Sequence, residues 1–455
     1  MTPSEKIFKN VWICQLDAGK VKPVFGDLHI SDGIIEQLVP KDFKTAFSDK
    51  GSTLKDTDQT ISDLGGRILT LPLVNFHDHF YSRLAKGLPL SGTQNNFLQI
   101  LENLWWKLDR FLDEDMIRAS VHLSMMESIR QGVTTIFDHH ASPNASAGIL
   151  DIIANTVSDY GLRAVLCLEA SDRNEKNKAE ESLIENRDFI LNHHNGDIQG
   201  MLGLHAPFTL SDDTLQAASD IREELQTAIH IHLAEDMYEM DYSSQNFGMT
   251  PTERLDKFNL LTPRTILGHG IYLEKSDYQL IKKQGSAICY NPDSNMNNAV
   301  GLPNYKMAMT EIPILPGTDG MHANIACTLK QLFLLYRHQG NSFPEAFRWI
   351  EKIYFDSHEF VARVFSDFPS LQKGDRADFV VWDYIPPTPF TDQNYWGHWV
   401  YGVLESAVHT VVQAGETILE NRQFVNIDEN DIYREIYRQG ERLYAMFDSS
   451  NGKGK

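Results

Sequence analysis

The sequence predicts an α/β fold: a (β/α)8 TIM barrel with a small composite β-sandwich domain assembled from both termini. Three observations carry that expectation. Apolar, β-branched runs ending in polar loops recur eight times through the middle of the chain, the pattern of parallel strands covered by helices. Helix-type stretches separate these runs, so strands and helices alternate. Short strand-like pieces bounded by Gly and Asp turns mark the two ends. No GxGxxG follows the first run, which weighs against an open doubly wound sheet.

Taken in order, 11–15, 26–30 and 33–38 read as short strands at the N-terminus. The eight apolar runs then fall at 67–76, 133–138, 162–168, 198–204, 227–231, 265–268, 286–290 and 312–317. Between them, 113–131 begins on an Asp cap and stops before Gly132, 144–160 stops before Gly161, and 212–225 follows the capping residue Ser211. Strand character returns at 378–382, 407–414 and 417–419. The expected division is 1–69 with 372–430 for the β-sandwich, 70–371 for the barrel, and 431–455 for a C-terminal helix and tail. The closing SSNGKGK reads as frayed.

With 455 residues, one large domain plus a smaller one is the natural expectation. A composition of 42% hydrophobic and 23% charged residues fits a globular chain with a sizeable core. No stretch approaches the roughly 18 apolar residues of a membrane helix, and MTPSEKIFKNVW lacks the apolar centre of a secretory leader. Cys14, Cys167, Cys289 and Cys327 show no paired spacing, so free thiols and a cytoplasmic location are expected. A formal charge of −21 excludes nucleic acid as the expected partner. A small molecule is the expected one.

The chemistry lies at the ends of the expected strands, where barrel enzymes carry their working residues. The first ends in Asn75-Phe76-His77-Asp78-His79, the fourth in His205, and the fifth in His230-Ile231-His232 with Glu235 beyond. The sixth ends in His269 and the eighth in Asp319. Residues two apart on a strand share a face, so His77 and His79 can bind one ion. Three imidazoles and a carboxylate suit one divalent ion, Zn²⁺ first and Fe²⁺ as the alternative, and leave a position for water. Such an ion lowers the pKa of that water towards ~7. Glu235, three residues past His232, then stands where a proton shuttle is needed.

These motifs resemble the amidohydrolase superfamily: LVNFHDH (Leu73–His79), HIHLAE (His230–Glu235), GHG (Gly268–Gly270), GTDG (Gly317–Gly320) and KGDRADFVVWD (Lys373–Asp383). NNFLQILENLWWKLD, GVTTIFDHHASPNA, GLHAPFTLSD and NPDSNMNNAVG look like the SsnA-type aminohydrolases associated with selenium metabolism and purine-catabolic gene sets. The resemblance implies His77, His79, His232 and Asp319 as metal ligands, Glu235 as proton shuttle, and His269 as the base that orients the water. Asp319 counts with the catalytic set as well. It implies His205 and Asp109 as substrate contacts. Trp106, after the first strand, is a candidate stacking wall for a flat heterocycle. Binuclear relatives carry a lysine on the fourth strand; 197–208 contains none, so one ion is expected. A homodimer is expected by analogy with the fold type.

The function expected is hydrolytic deamination of a small N-heterocycle such as a purine-like compound. Cleavage of a C–Cl or cyclic amide C–N bond at the same site is the alternative, and a non-catalytic binding protein of the same fold is a third reading. His230 is read as either a core histidine or a partner of the ligand set. His139, His140 and His322 are left between packing and the pocket wall, and Cys289 is read as a buried thiol.

Overall fold

The structure, a computed structural model, describes residues 5–44, 59–175, 177–309 and 311–452. Among these the chain forms two compact units, one drawing on Met1–Val74, Ser128–Thr134 and Ser342–Asp428, the other on Asn75–Glu127, Thr135–Asn341 and Glu429–Lys455.

In the second unit and its flanks, eight parallel strands alternate with helices: β1 (Leu73–Asp78), β2 (Val133–His140), β3 (Arg163–Leu168), β4 (Ile198–Gly200 and Leu202–Leu204), β5 (Ile229–Leu233), β6 (Ile266–His269), β7 (Ala287–Tyr290) and β8 (Ile314–Pro316). They are buried nearly throughout, which is why they read as continuous apolar runs rather than as alternations. Strand β4 breaks at Met201. Its first piece pairs with β3 and its second with β5, so the hydrogen bonding divides into a four-stranded sheet, β1 to β4, and a five-stranded one, β4 to β8. Single parallel bridges, Ala170↔Leu204 and Asp78↔Asp319, join the strand ends of the two sheets.

The helices follow their caps. Ser211 accepts from the N–H of Thr214, and the helix Asp212–Leu225 starts where the sequence places it. The expected stretch 113–131 forms Glu114–Arg130, and 144–160 shortens to Ile149–Ser158 behind a left-handed Gly148.

In the first unit, strands from both ends of the chain share one nine-stranded sheet. Its order is Gln423–Phe424, Glu416–Glu420, Val408–Gln413, Phe379–Trp382, Ile68–Thr70, Glu5–Asp17, Lys20–Ser31 and Ile34–Pro40, with Gln59–Asp63 paired to Glu5–Asp17. The composite origin expected at the termini is present in this sheet; its hydrogen bonding is continuous rather than divided into two sheets. Trp382 donates from Nε1 to Thr70 Oγ1 at 2.9 Å across the junction of the two chain ends.

Two expectations are corrected. The run 67–76 is two strands, Ile68–Thr70 in the terminal sheet and Leu73–Asp78 as β1. Pro72 lies between them, and a residue without an N–H cannot continue a ladder. The tail expected at 449–455 is helical as far as it is described, within Glu429–Gly452; residues 453–455 lie outside the described residues.

Candidate metal centre and active site

Strand register assembles the centre. In β5, Ile229, Ile231 and Leu233 face one side while His230 and His232 face the other. His232 is paired with Gly268, next to His269. Asp319, just after β8, is bridged to Asp78, between His77 and His79. One ligand atom each from His77, His79, His232 and Asp319 lies within 4.8 Å of all the others. His79 Nε2 stands 2.8 Å from Asp319 Oδ1 and 3.3 Å from His232 Nε2.

The other ring nitrogen of each histidine explains why these faces suit a cation. His79 Nδ1 donates to the His139 carbonyl at 2.5 Å, and His232 Nδ1 donates to the His205 carbonyl at 2.7 Å. A carbonyl only accepts, so both Nδ1 atoms carry a proton, and in the neutral imidazoles both Nε2 atoms present lone pairs. His77 Nδ1 meets His230 Nε2 at 2.7 Å, while its own Nε2 is buried with no hydrogen-bond partner. Lone pairs and a carboxylate converging in a buried space repel one another unless a positive charge sits among them. A proton on His79 can supply that charge: burial disfavours it, yet Asp319 more than offsets this and holds the imidazole up at about 9. Burial also works against a charged Asp319, but His77 and His79 keep its carboxyl well below the usual range. The residues therefore fit a divalent cation.

Around this focus, backbone and neighbours are specialised. Ala234, His269 and Asp319 have φ of 51°, 71° and 55°, left-handed values that non-glycine residues adopt at a cost and that concentrate at functional sites. Gly317 is required by close approach: a Cβ there would lie 2.8 Å from His77 Cβ and 2.3 Å from Asn291 Oδ1. Ser294 donates to Asp319 Oδ2 at 2.5 Å. Asn75 donates to Asp78 Oδ2 at 2.9 Å and to Thr318 Oγ1 at 2.7 Å, tying β1 to the turn that carries Asp319.

His269 is held by Asn295, with Nδ1 2.8 Å from the amide oxygen. Its buried Nε2 has no hydrogen-bond partner and points to Glu235 Oε2 at 3.6 Å and Asp319 Oδ2 at 3.9 Å. Burial raises the Glu235 carboxyl to about 7, against the opposing pull of His269. That is the range in which a carboxyl both accepts and returns a proton near neutrality.

A cleft opens above these groups. His79, His232, Glu235 and Asp319 line its floor, and Trp105, Trp106, Asp109, His205 and Phe208 are among its walls. All three expected substrate contacts, Trp106, Asp109 and His205, thus lie in one cleft with the expected metal and catalytic residues; His77 and His269 stand behind its floor. The Thr209 hydroxyl gives its proton to the Ala206 carbonyl at 2.9 Å, so His205 Nδ1 donates to it at 2.8 Å and His205 Nε2 remains an acceptor. Asp109 Oδ1 is buried without a hydrogen-bond partner.

The open readings resolve unevenly. His230 contacts the ligand set directly through His77. His139 supplies its carbonyl to His79 and sets its own Nε2 2.9 Å from the Leu204 carbonyl. His140 is buried beside Ser142, and His322 sits at a helix start 3.7 Å from Asp293; neither lines the cleft. Cys289 is buried and its thiol is pushed up by burial, as an inert core thiol is. Sequence reading missed Glu169 and Arg173 in the cleft wall, because they follow β3 with no motif around them. It also missed Ser294 and Asn295, although both lie in a segment it had singled out.

The sequence profile of the Amidohydrolase family matches residues 68–432. The chain belongs to the amidohydrolase family. It is accordingly a metal-dependent hydrolase acting on carbon–nitrogen bonds, as its motifs led us to expect. Relatives of this amidohydrolase include a 5-methylthioadenosine/S-adenosylhomocysteine deaminase of Desulforudis audaxviator, 28% identical over 85% of this chain and 89% of the relative. A 5′-deoxyadenosine deaminase of Methanococcus maripaludis (strain C5) is 29% identical over 84% and 90%. Among solved structures, a zinc-bound adenosine deaminase from Xanthomonas campestris superimposes with a TM-score of 0.75 at 17% identity, covering 97% of this chain and 98% of the other. The zinc complex of atrazine chlorohydrolase from Arthrobacter aurescens TC1 gives 0.76 at 20% identity, over 96% and 100%. These two likenesses establish the fold. No helix among the described residues is long and apolar enough to cross a membrane.

Proposed function

We propose that this amidohydrolase is a zinc-dependent deaminase of adenosine-type nucleosides. The observation that carries the reading is the convergence of three imidazoles and Asp319 beside a carboxyl raised to about 7, at the floor of an aromatic-walled cleft. The names of the relatives supply the adenosine class.

His77, His79, His232 and Asp319 hold one divalent ion, Zn²⁺ in first place and Fe²⁺ as the alternative. When bound, the ion supplies the Lewis acidity that makes water a nucleophile at neutral pH. His269 Nε2 accepts a hydrogen bond from that water and aims it. Glu235 takes its proton and delivers it to the amino nitrogen. The new C6–O bond replaces the broken C6–N bond, and ammonia leaves. Trp106 stacks on the flat base, and His205 Nε2 and Asp109 Oδ1 accept from substrate hydroxyls.

The same reading takes the eight parallel strands as one closed (β/α)8 ring, the terminal sheet as folding over into a sandwich, and the assembly as a homodimer. A cytoplasmic setting accords with four unpaired cysteines. The test is ammonia release from adenosine, 5′-deoxyadenosine and 5′-methylthioadenosine by metal-loaded protein, with Glu235→Gln as control. Stoichiometric metal without turnover of any of the three sinks the reading.

A further inference from the structure

We propose that the outer, aromatic part of the cleft is a subsite for an apolar or cationic substituent of the nucleoside, and that it turns away substituents ending in a free carboxylate. The inference rests on the deaminase reading, because it extends the same bound substrate outwards.

Trp106, Arg173 and Phe208 line the inner cleft and also a second, wider depression, so the two are adjacent and share a wall. The outer part is walled by Leu98, Phe208, Tyr238, Tyr242 and Phe247. Asp236 caps the helix Met237–Phe247 by accepting from the N–H of Tyr238 at 2.9 Å. Tyr238 and Tyr242, four residues apart, therefore lie on one helical face. Phe208, from the turn after β4, meets both, with ring centroids at 5.7 Å and 6.4 Å. Tyr238 is 39% exposed. An exposed aromatic wall bordering a substrate cleft suits an apolar group attached to that substrate.

Charge decides which groups are refused. Among the described residues, Arg173 is the one lysine or arginine lining either part of the cleft. Its Nη2 donates to Asp109 Oδ2 and to Glu169 Oε1, both at 2.5 Å. Its guanidinium lies 5.2 Å from the centre of the Trp106 ring. The positive charge is thus matched by two carboxylates before any ligand arrives. Further out stand the exposed Glu102 and Asp172, and Asp212, which is paired to Arg254 at 2.7 Å and to Lys257 at 3.2 Å. A substrate carboxylate entering here finds no unpaired cation among the described lining residues, whereas a cation meets carboxylates and ring faces. Thioether and ammonium substituents fit; an amino-acid carboxylate does not.

Calorimetric titration of the zinc-loaded chain tests this with 5′-methylthioinosine, 5′-benzylthioinosine and S-inosylhomocysteine, which lack the amine and are not turned over. The benzylthio compound should bind at least as tightly as the methylthio compound. The homocysteine compound should bind at least ~10-fold more weakly, the size of an unfavourable charge contact. Tyr238→Ala should weaken the benzylthio compound more than unsubstituted inosine. Glu169→Gln, which leaves Arg173 a single carboxylate partner, should improve the homocysteine compound relative to the methylthio one by several-fold. Equal affinity for all three, or preference for the homocysteine compound, overturns the subsite. The expected binding order with no ammonia release from any adenosine derivative overturns the deaminase reading and leaves the subsite standing.

Discussion

His77 and His232 stand on strands whose neighbours hold them in register, and His79 and Asp319 come directly after strand ends. Trp106, Asp109, Glu169, Arg173 and Phe208 instead come from the turns and short helices beyond those strands. The floor is over-determined: each ligand imidazole is fixed at its second nitrogen, and Asp319 by Ser294 and the Asp78 bridge. The walls have one internal ion cluster, Asp109–Arg173–Glu169, and otherwise depend on how aromatic side chains pack. Phe97, Leu101, Ile271 and Val300 form a small core against which Trp105, Trp106 and Phe208 rest. Reaction type is therefore set where the backbone is least free to change, and substrate choice where it is most free.

That contrast can be broken first at the floor. His232→Ala should lower bound metal from about one ion per chain to a small fraction, with ammonia release falling by ~10³ or more; elemental analysis showing full metal would remove His232 from the ligand set. Glu235→Gln should keep the metal yet lose ~10²–10⁴ in kcat. If metal and kcat fell together there, Glu235 would belong to the ligands rather than to proton transfer. A wall residue should behave differently. Trp106→Ala should raise KM roughly tenfold with kcat within about twofold and metal unchanged, a loss of ~1.4 kcal/mol in substrate binding. A drop in kcat alone would move Trp106 out of the wall.

The effect farthest from the chemistry concerns the buried support of β2. Burial holds His140 down at about 3 against an ordinary 6.5. Its folded pKa is depressed, so its contribution is fully present above pH 6.5. It is lost as pH falls from there towards 3, because the unfolded chain takes up the proton that the folded one refuses. His140→Gln should flatten the acid side of the stability curve. Between pH 7 and pH 5 the variant should lose on the order of 2 kcal/mol less than the parent in urea unfolding. Parallel pH dependence of the two proteins would refute it.

The histidine and aspartate cluster was legible because one residue type recurs at one structural position. HxH and HxHxxE place like side chains on one strand face, and that arithmetic needs no partner strand. Asp319 was legible from its place after the last apolar run. Helix Asp212–Leu225 was legible in full because its cap is local. Arg173 and Glu169 were not: their meaning lies in a contact with Asp109, some 60 residues away in the chain, and an Arg after a strand is ordinary by itself. The division of 67–76 into two strands turns on Pro72, a local signal given too little weight against a continuous apolar run.

By itself the amino-acid order determined the parallel-strand class, the residues of the His/Asp cluster and the reaction family, since periodicity, caps and strand-face identity are properties of neighbouring residues. Only the tertiary structure decided that His230 backs His77, that Arg173 pairs with Asp109 and Glu169 in the cleft wall, and that an aromatic depression shares that wall. Those are contacts between segments far apart in the chain. Their distances and charges exist only after folding has brought the segments together.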